Sequence, residues 1–279
     1  MTPILRNLSE LRSWRARSDQ VGLVPTMGAL HDGHRSLIER AASENDRVIV
    51  SIFVNPTQFN NRDDLERYPR ELERDAVLIL DAGGHAIYAP EVETIYPAGF
   101  ASQVTVSGVT DDFEGESRPG HFAGVATVVT ILLNQVRPDR SYFGEKDYQQ
   151  LAMIRRMQAD LALPGAIVAC PTVRDVDGLA LSSRNSRLSA EDRNAALVLN
   201  RTLFTMRNHA ADNVETALRL STMGAVLVSA QPGVELDYLE IVDPDSLLPV
   251  KRIVPGARAL VAATVGGVRL IDNLEMMPR

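Results

Sequence analysis

Short apolar runs alternate with longer stretches of helical periodicity through the first two-thirds of the chain. This is the pattern of βαβ units wound around a parallel sheet. The predicted strands are Val21–Val24, Val48–Val54, Ala86–Tyr88, Ser141–Phe143 and Ala166–Cys170. Between them Leu37, Ile38 and Ala41 share one helical face, and Leu151, Ile154 and Leu161 recur near the helical period further on. The charged stretch Asn60–Arg74 reads as a solvated loop running into a helix. In sheets of this kind the crossovers are right-handed and ligands collect at the carboxyl ends of the strands.

Past Asn185 the texture changes. Ser189-Ala190-Glu191-Asp192 forms a capping-box-like start, followed by Ala196, Leu199, Leu203 and Met206 at helical spacing. A second helical segment is predicted around Val214–Val228. Two strands, Leu236–Val242 and Ala259–Val265, are then separated by Pro244, Pro249 and Pro255, an α+β texture. The change falls near 175–186. The expectation is an α/β protein with a Rossmann-like, parallel-sheet domain over 1–184 and a smaller α+β domain over 185–279.

Composition narrows the function classes. The 279 residues are 45% hydrophobic and 23% charged, which places the chain among globular proteins rather than disordered ones. A net charge of −7 argues against an extended nucleic-acid footprint and leaves small anions as plausible ligands. Cys170 is the only cysteine, so no intrachain disulfide and no thiolate zinc site is expected, and a reducing compartment fits. The N-terminus lacks an apolar signal core and no window resembles a spanning helix. A soluble, cytoplasmic chain without a membrane partner is expected.

The chemistry concentrates in Pro25–His34, PTMGALHDGH. Here a strand end, a Gly turn and two histidines precede a helical pattern, so helix N–H groups left unpaired would face the turn alongside His31 and His34. Such groups can stabilise negative charge on a departing pyrophosphate. Alone, this run is balanced against a pair of ordinary loop histidines. A metal pair is disfavoured because no third ligand stands nearby. Neither a Walker A nor a GxGxxG pattern is present.

Two further clusters have the same character. Gly144-Glu145-Lys146-Asp147 follows a strand and precedes a helix, where Lys146 can reach phosphate and Asp147 can accept from ribose hydroxyls. Leu181-Ser182-Ser183-Arg184-Asn185 offers two hydroxyls and a guanidinium fork. Each alone is most simply a capped helix start or a polar turn; three together favour a phosphate site. Phe53–Phe59, FVNPTQF, sets the amide of Gln58 among apolar groups, and Glu116–Phe122, ESRPGHF, is a polar loop. Both are packed loops by default.

The blocks PTMGALHDGH, FVNPTQF, EGESRPGHF, FGEKDYQQL and TVRDVDGLALSSRN stand in an order and at spacings that closely resemble the pantothenate synthetase family, within the HxGH nucleotidyltransferase superfamily. The resemblance implies an ATP site made of Met27, Gly28, Ala29, Leu30, His31, Asp32, Gly33 and His34, with Gly144, Glu145, Lys146, Asp147, Val173, Leu181, Ser182, Ser183 and Arg184. It sets adenine against Val173 and Leu181, assigns pantoate to Gln58 and Gln150, places Gln58 beside β-alanine as well, and makes His34 a proton donor to the leaving phosphate. His31, Lys146 and Arg184 join His34 as the catalytic set.

The activity it implies is ATP-dependent condensation of (R)-pantoate with β-alanine through pantoyl adenylate, releasing AMP and pyrophosphate. Mg²⁺ is expected to be held mainly by the ATP phosphates. A homodimer with a hinged C-terminal lid is expected from the same likeness. The nearest alternative is a nucleotidyltransferase of that superfamily acting on a phosphorylated substrate. A silent nucleotide-binding scaffold is disfavoured because both histidines, Lys146 and Arg184 are present together.

Overall fold

The computed structural model describes residues 2–212 and 216–277. It divides into two compact units, Met1–Glu145 with Met153–Pro171, and Lys146–Ala152 with Thr172–Arg279.

The first unit is built on a six-stranded sheet in which every neighbouring pair is parallel. In chain order its elements are β1 (Ile4–Leu5), α1 (Leu8–Arg15), β2 (Val21–Thr26), α2 (Asp32–Glu44), β3 (Arg47–Ile52), α3 (Arg62–Glu66), α4 (Leu72–Asp81), β4 (Ala86–Tyr88), α5 (Val92–Ile95), α6 (Glu114–Ser117), α7 (His121–Val136), β5 (Arg140–Gly144), the part of α8 (Tyr148–Asp160) from Met153 onward and β6 (Ala166–Cys170). The five predicted strands are all present, with boundaries shifted by two residues at most. Among the strands of this sheet, the two-residue β1, too short to show a period, went unread.

The strand order is β1-β4-β3-β2-β5-β6. From β2 the chain winds one way through β3 and β4 and the other way through β5 and β6, so the winding reverses between β2 and β5. These two pair at Gly22↔Arg140 and Leu23↔Ser141. A reversal of this kind opens a crevice at the strands' carboxyl ends, where open α/β sheets take their ligands.

Leu37, Ile38 and Ala41 are buried on α2, packed with Val24, Val48, Val50 and Ile87 of the sheet. Each leucine, isoleucine or valine among them contributes roughly 1.5–3 kcal/mol when fully buried. On α8, Leu151 and Ile154 are likewise buried, whereas Leu161 falls past the helix end and is exposed.

The second unit carries α9 (Ala190–Asp212), α10 (Ala217–Ser229) and an antiparallel sheet in the order β7-β8-β9, comprising Val234–Val242, Arg258–Val265 and Val268–Glu275. Ser189 caps α9 by accepting from the Asp192 amide at 3.1 Å. Ala196, Leu199, Leu203 and Met206 bury one face against Val261, Ala263 and Leu270. Helix α10 begins at Ala217, and Val214 of the predicted segment lies outside the described residues. Strand β9 was not predicted.

Candidate active site

The PTMGALHDGH turn leaves the carboxyl end of β2, and nearly all of its amides are accounted for internally. Thr26 Oγ1 donates to the Ser51 carbonyl at 2.7 Å and accepts from the Gly28 amide at 3.2 Å. Asp75, on α4, accepts from the amides of Ala29 at 2.9 Å and Leu30 at 2.8 Å. The His31 amide donates to His34 Nδ1 at 3.3 Å, the Gly33 amide to His31 Nδ1 at 3.1 Å, and the His34 amide to the His31 carbonyl at 2.8 Å. Here the turn differs from the sequence expectation of a row of unpaired amides. Two imidazoles form a reciprocal cap on α2, doing what Ser and Glu side chains do in an ordinary capping box.

This cap fixes the histidine chemistry. A ring nitrogen that accepts from a backbone N–H carries no proton, so the neutral form of each ring holds its proton on Nε2. The two ring centroids lie 4.2 Å apart. Gly28 and Ala29 adopt left-handed backbones, φ +83° and +51°, which Gly takes readily and Ala does not. Burial pushes the Asp75 carboxyl up, and the two amide bonds it receives oppose that shift.

Gln58 sits in a short 3-10 turn, Pro56–Gln58, after β3. Its Oε1 accepts from Asn55 Nδ2 at 3.0 Å and its Nε2 donates to Met27 Sδ at 3.1 Å. Asn55, 1% exposed, also donates to the Gly124 carbonyl at 3.1 Å and accepts at Oδ1 from the Tyr96 hydroxyl at 2.7 Å. Glycine at 124 is a packing requirement, because a Cβ there would stand 2.5 Å from the Thr57 carbonyl oxygen. The ESRPGHF loop serves the same turn. His121 Nδ1 lies 2.9 Å from the Gln58 carbonyl, which can only accept, so Nδ1 carries the proton and Nε2 accepts from Arg118 at 3.1 Å.

In the second unit Val173 and Leu181 are joined, with the Leu181 amide donating to the Val173 carbonyl at 3.0 Å. Ser182 caps the 3-10 turn Ser183–Arg187 by accepting from the Arg184 amide at 3.3 Å. A shallow recess is lined by Lys146, Ser182, Arg184, Asn185, Arg269 and Asp272 among others. Lys146 approaches Asp147 at 3.7 Å, and its carbonyl accepts from Asn273 Nδ2 at 2.9 Å. Arg258 donates to Asn273 Oδ1 at 2.6 Å and lies over the Tyr148 ring at 4.0 Å, so Lys146 and Tyr148 are moored to β8 and β9. Bidentate pairing of Arg174 with Asp272 at 2.6 and 2.8 Å adds to this network.

The structure thus groups the predicted residues in two sets. Residues 27–34, Gln58, Gly144 and Glu145 belong to the first unit; Lys146, Asp147, Gln150, Val173 and Leu181–Arg184 belong to the second. Sequence reasoning missed Asp75, Tyr96 and Arg269. Only long-range contacts reveal them: Asp75 is 46 residues from the amide it binds, and no local pattern marks it. Among the described residues, no helix is long and apolar enough to cross a membrane.

Fold and site together define a nucleotide-handling α/β enzyme of the Rossmann-like class. The chain belongs to the pantoate-beta-alanine ligase family, whose profile matches residues 3–275. It is 51% identical over 281 residues to pantothenate synthetase of Cereibacter sphaeroides, covering 99% of this chain and 100% of that protein. A crystal structure of pantothenate synthetase from Thermus thermophilus superposes with a TM-score of 0.93 at 50% identity, covering 99% of this chain and 100% of the other. The structure of pantoate-beta-alanine ligase from Francisella tularensis, complexed with beta-gamma ATP and beta-alanine, superposes with a TM-score of 0.80 at 37% identity, covering 99% and 98%.

Proposed function

We propose that this chain joins (R)-pantoate to β-alanine in two steps driven by ATP. In the first, a pantoate carboxylate oxygen attacks the α-phosphorus, the bond to the bridging oxygen breaks, and pyrophosphate leaves as pantoyl adenylate forms. In the second, the neutral amine of β-alanine attacks the acyl carbon, loses a proton and expels AMP. A carboxylate is too weak an electrophile to react with an amine directly, which is why activation comes first.

One observation carries the reading. The Gln58 amide, assigned to pantoate, contacts Met27, the first residue of the turn assigned to ATP, at 3.1 Å. The acid and the nucleotide are therefore served by adjoining side chains of one unit, as in-line attack requires. His31 and His34 would offer Nε2–H donors to phosphate oxygens, and Lys146, Ser182, Ser183 and Arg184 would offset charge on pyrophosphate. These donors are imidazole N–H, ammonium, guanidinium and hydroxyl groups, with no carboxylate of the kind Mg²⁺ selects among them. They suit phosphate oxygens and not a metal, so Mg²⁺ would be held by the phosphates themselves. We take the working form to be a cytoplasmic homodimer in which residues 185–279 act as a lid.

The test is isotope exchange. With pantoate and Mg²⁺ but no amine, labelled pyrophosphate should enter ATP, and adding β-alanine should yield AMP and pantothenate. No exchange by folded enzyme would refute the adenylate. A product carrying AMP on a phosphorylated acceptor would establish the nucleotidyltransferase alternative, against which stand the uncharged groups, Asn55 and Met27, that hold the Gln58 side chain.

A further inference from the structure

Asp75 stands outside every role assigned above, yet it is among the most buried charged side chains, 1% exposed. It lies on α4, and its two carboxylate oxygens accept from the consecutive amides of Ala29 and Leu30 at 2.9 and 2.8 Å. Consecutive backbone N–H groups converging on one anion form the kind of concavity that elsewhere collects a phosphate. In this chain the anion is the protein's own carboxylate. The convergence depends on the left-handed backbones of Gly28 and Ala29, and a Cβ at Gly28 would sit 3.0 Å from Asp75 Oδ2.

We propose that Asp75 is a positioning residue for the histidine turn: it clamps Ala29 and Leu30 so that His31 and His34 are set in place before ATP arrives. The proposal rests on the reading that this turn serves ATP. Two features make the clamp specific. Thr26 holds the preceding amide, of Gly28, so Asp75 takes over where the strand's own support ends. The next amide, of His31, is already committed to His34 Nδ1, so a shift of Leu30 would carry through to the imidazole cap. A carboxylate with two acceptor oxygens satisfies both donors; a carboxamide of the same shape satisfies one and opposes the other with its NH₂.

The experiment compares wild-type enzyme with Asp75→Asn by pantoate-dependent pyrophosphate exchange. The expected result is at least a tenfold fall in the exchange rate at saturating substrates, with the KM for pantoate within about twofold, because the Asn55 bond that orients Gln58 lies outside the Ala29–Leu30 clamp. The variant should keep its far-ultraviolet circular dichroism. Hydrogen exchange on the wild-type protein supplies a reading that needs no variant: the Ala29 and Leu30 amides should exchange slowly although they lie in a turn. A variant with wild-type exchange kinetics, rapid hydrogen exchange at these two amides, or activity lost only in step with unfolding would each overturn the clamp. Failure of the wild-type enzyme to exchange pyrophosphate would instead refute the adenylate reading, and hydrogen exchange would still judge the clamp.

Discussion

The carboxamide of Asn55 donates to Gln58 Oε1 at 3.0 Å, and this single bond decides which end of the Gln58 amide points toward Met27. Asn55 is itself fixed, because both ends of its carboxamide are engaged, with Gln58 and Gly124 at one and Thr57 and Tyr96 at the other. Gln58→Ala should weaken pantoate binding by about 1–3 kcal/mol, the usual cost of leaving a buried partner unsatisfied, and leave ATP binding nearly unchanged. Asn55→Ala should act in the same direction with Gln58 intact. Separate titrations with pantoate and a non-hydrolysable ATP analogue check both. Equal losses for the two ligands would assign the effect to general damage to the turn.

His34→Ala should slow adenylate formation by roughly 10²-fold or more, the scale for loss of one preorganised donor. It also removes the acceptor of the His31 amide, so the partner imidazole should lose its fixed orientation. His34→Gln separates the two contributions, since its side-chain oxygen can accept from that amide while its NH₂ replaces the donor. Single-turnover rates should rank wild type above Gln and Gln above Ala. Equal rates for the Ala and wild-type enzymes would remove His34 from the transition state.

How much of this was legible from sequence depended on whether the information was local. The parallel strands and their order of appearance were, because each apolar run stands between polar turns. Helix α7 was not predicted: its apolar side chains are buried nearly all round, so no polar face marks a helical period. Strand β9 was missed for a different reason. Gly266-Gly267, with φ of +55° and +74°, is a hairpin signal that should have extended the reading beyond Val265. The histidines of the turn were legible as residues, but their mutual capping was not, since the same HDGH run reads equally well as vacant amides facing a ligand. Asp75 and the mooring of Lys146 by Asn273 join residues 45 and 127 positions apart, beyond any local period.

Gly124→Ala should be costly despite its small size. The new Cβ would meet the Thr57 carbonyl oxygen at 2.5 Å and the Gln58 amide nitrogen at 2.8 Å, backbone atoms that cannot rotate aside. Relief requires α7 and the Pro56–Gln58 turn to separate, which strains the Asn55 bond to the Gly124 carbonyl. A loss of about 1–3 kcal/mol in stability is expected from overpacking, together with weaker pantoate binding. Urea denaturation and pantoate titration measure the two. Unchanged values in both would show that the turn tolerates displacement and that the close approach is not required.

His85 supplies the pH dependence. Its Nδ1 accepts from the Val48 amide at 3.1 Å and its own amide donates to the Val48 carbonyl at 2.8 Å, so protonating Nδ1 would set one N–H against another. Burial first, and the nearby Arg47 charge second, hold this imidazole below its ordinary pKa of 6.5. The folded chain therefore binds fewer protons at His85 than the unfolded chain, once pH drops below about 6.5. Its contribution to stability is present above that pH and is lost as pH falls toward the folded-state pKa. His85→Asn keeps an acceptor for the Val48 amide and removes the titrating ring. Between pH 7.5 and 5.5 the wild-type urea midpoint should fall further than that of the variant, since the other titrating groups are common to both. Parallel declines would mean that His85 has the same pKa folded and unfolded, and a steeper decline for the variant would reverse the sign assigned to its shift.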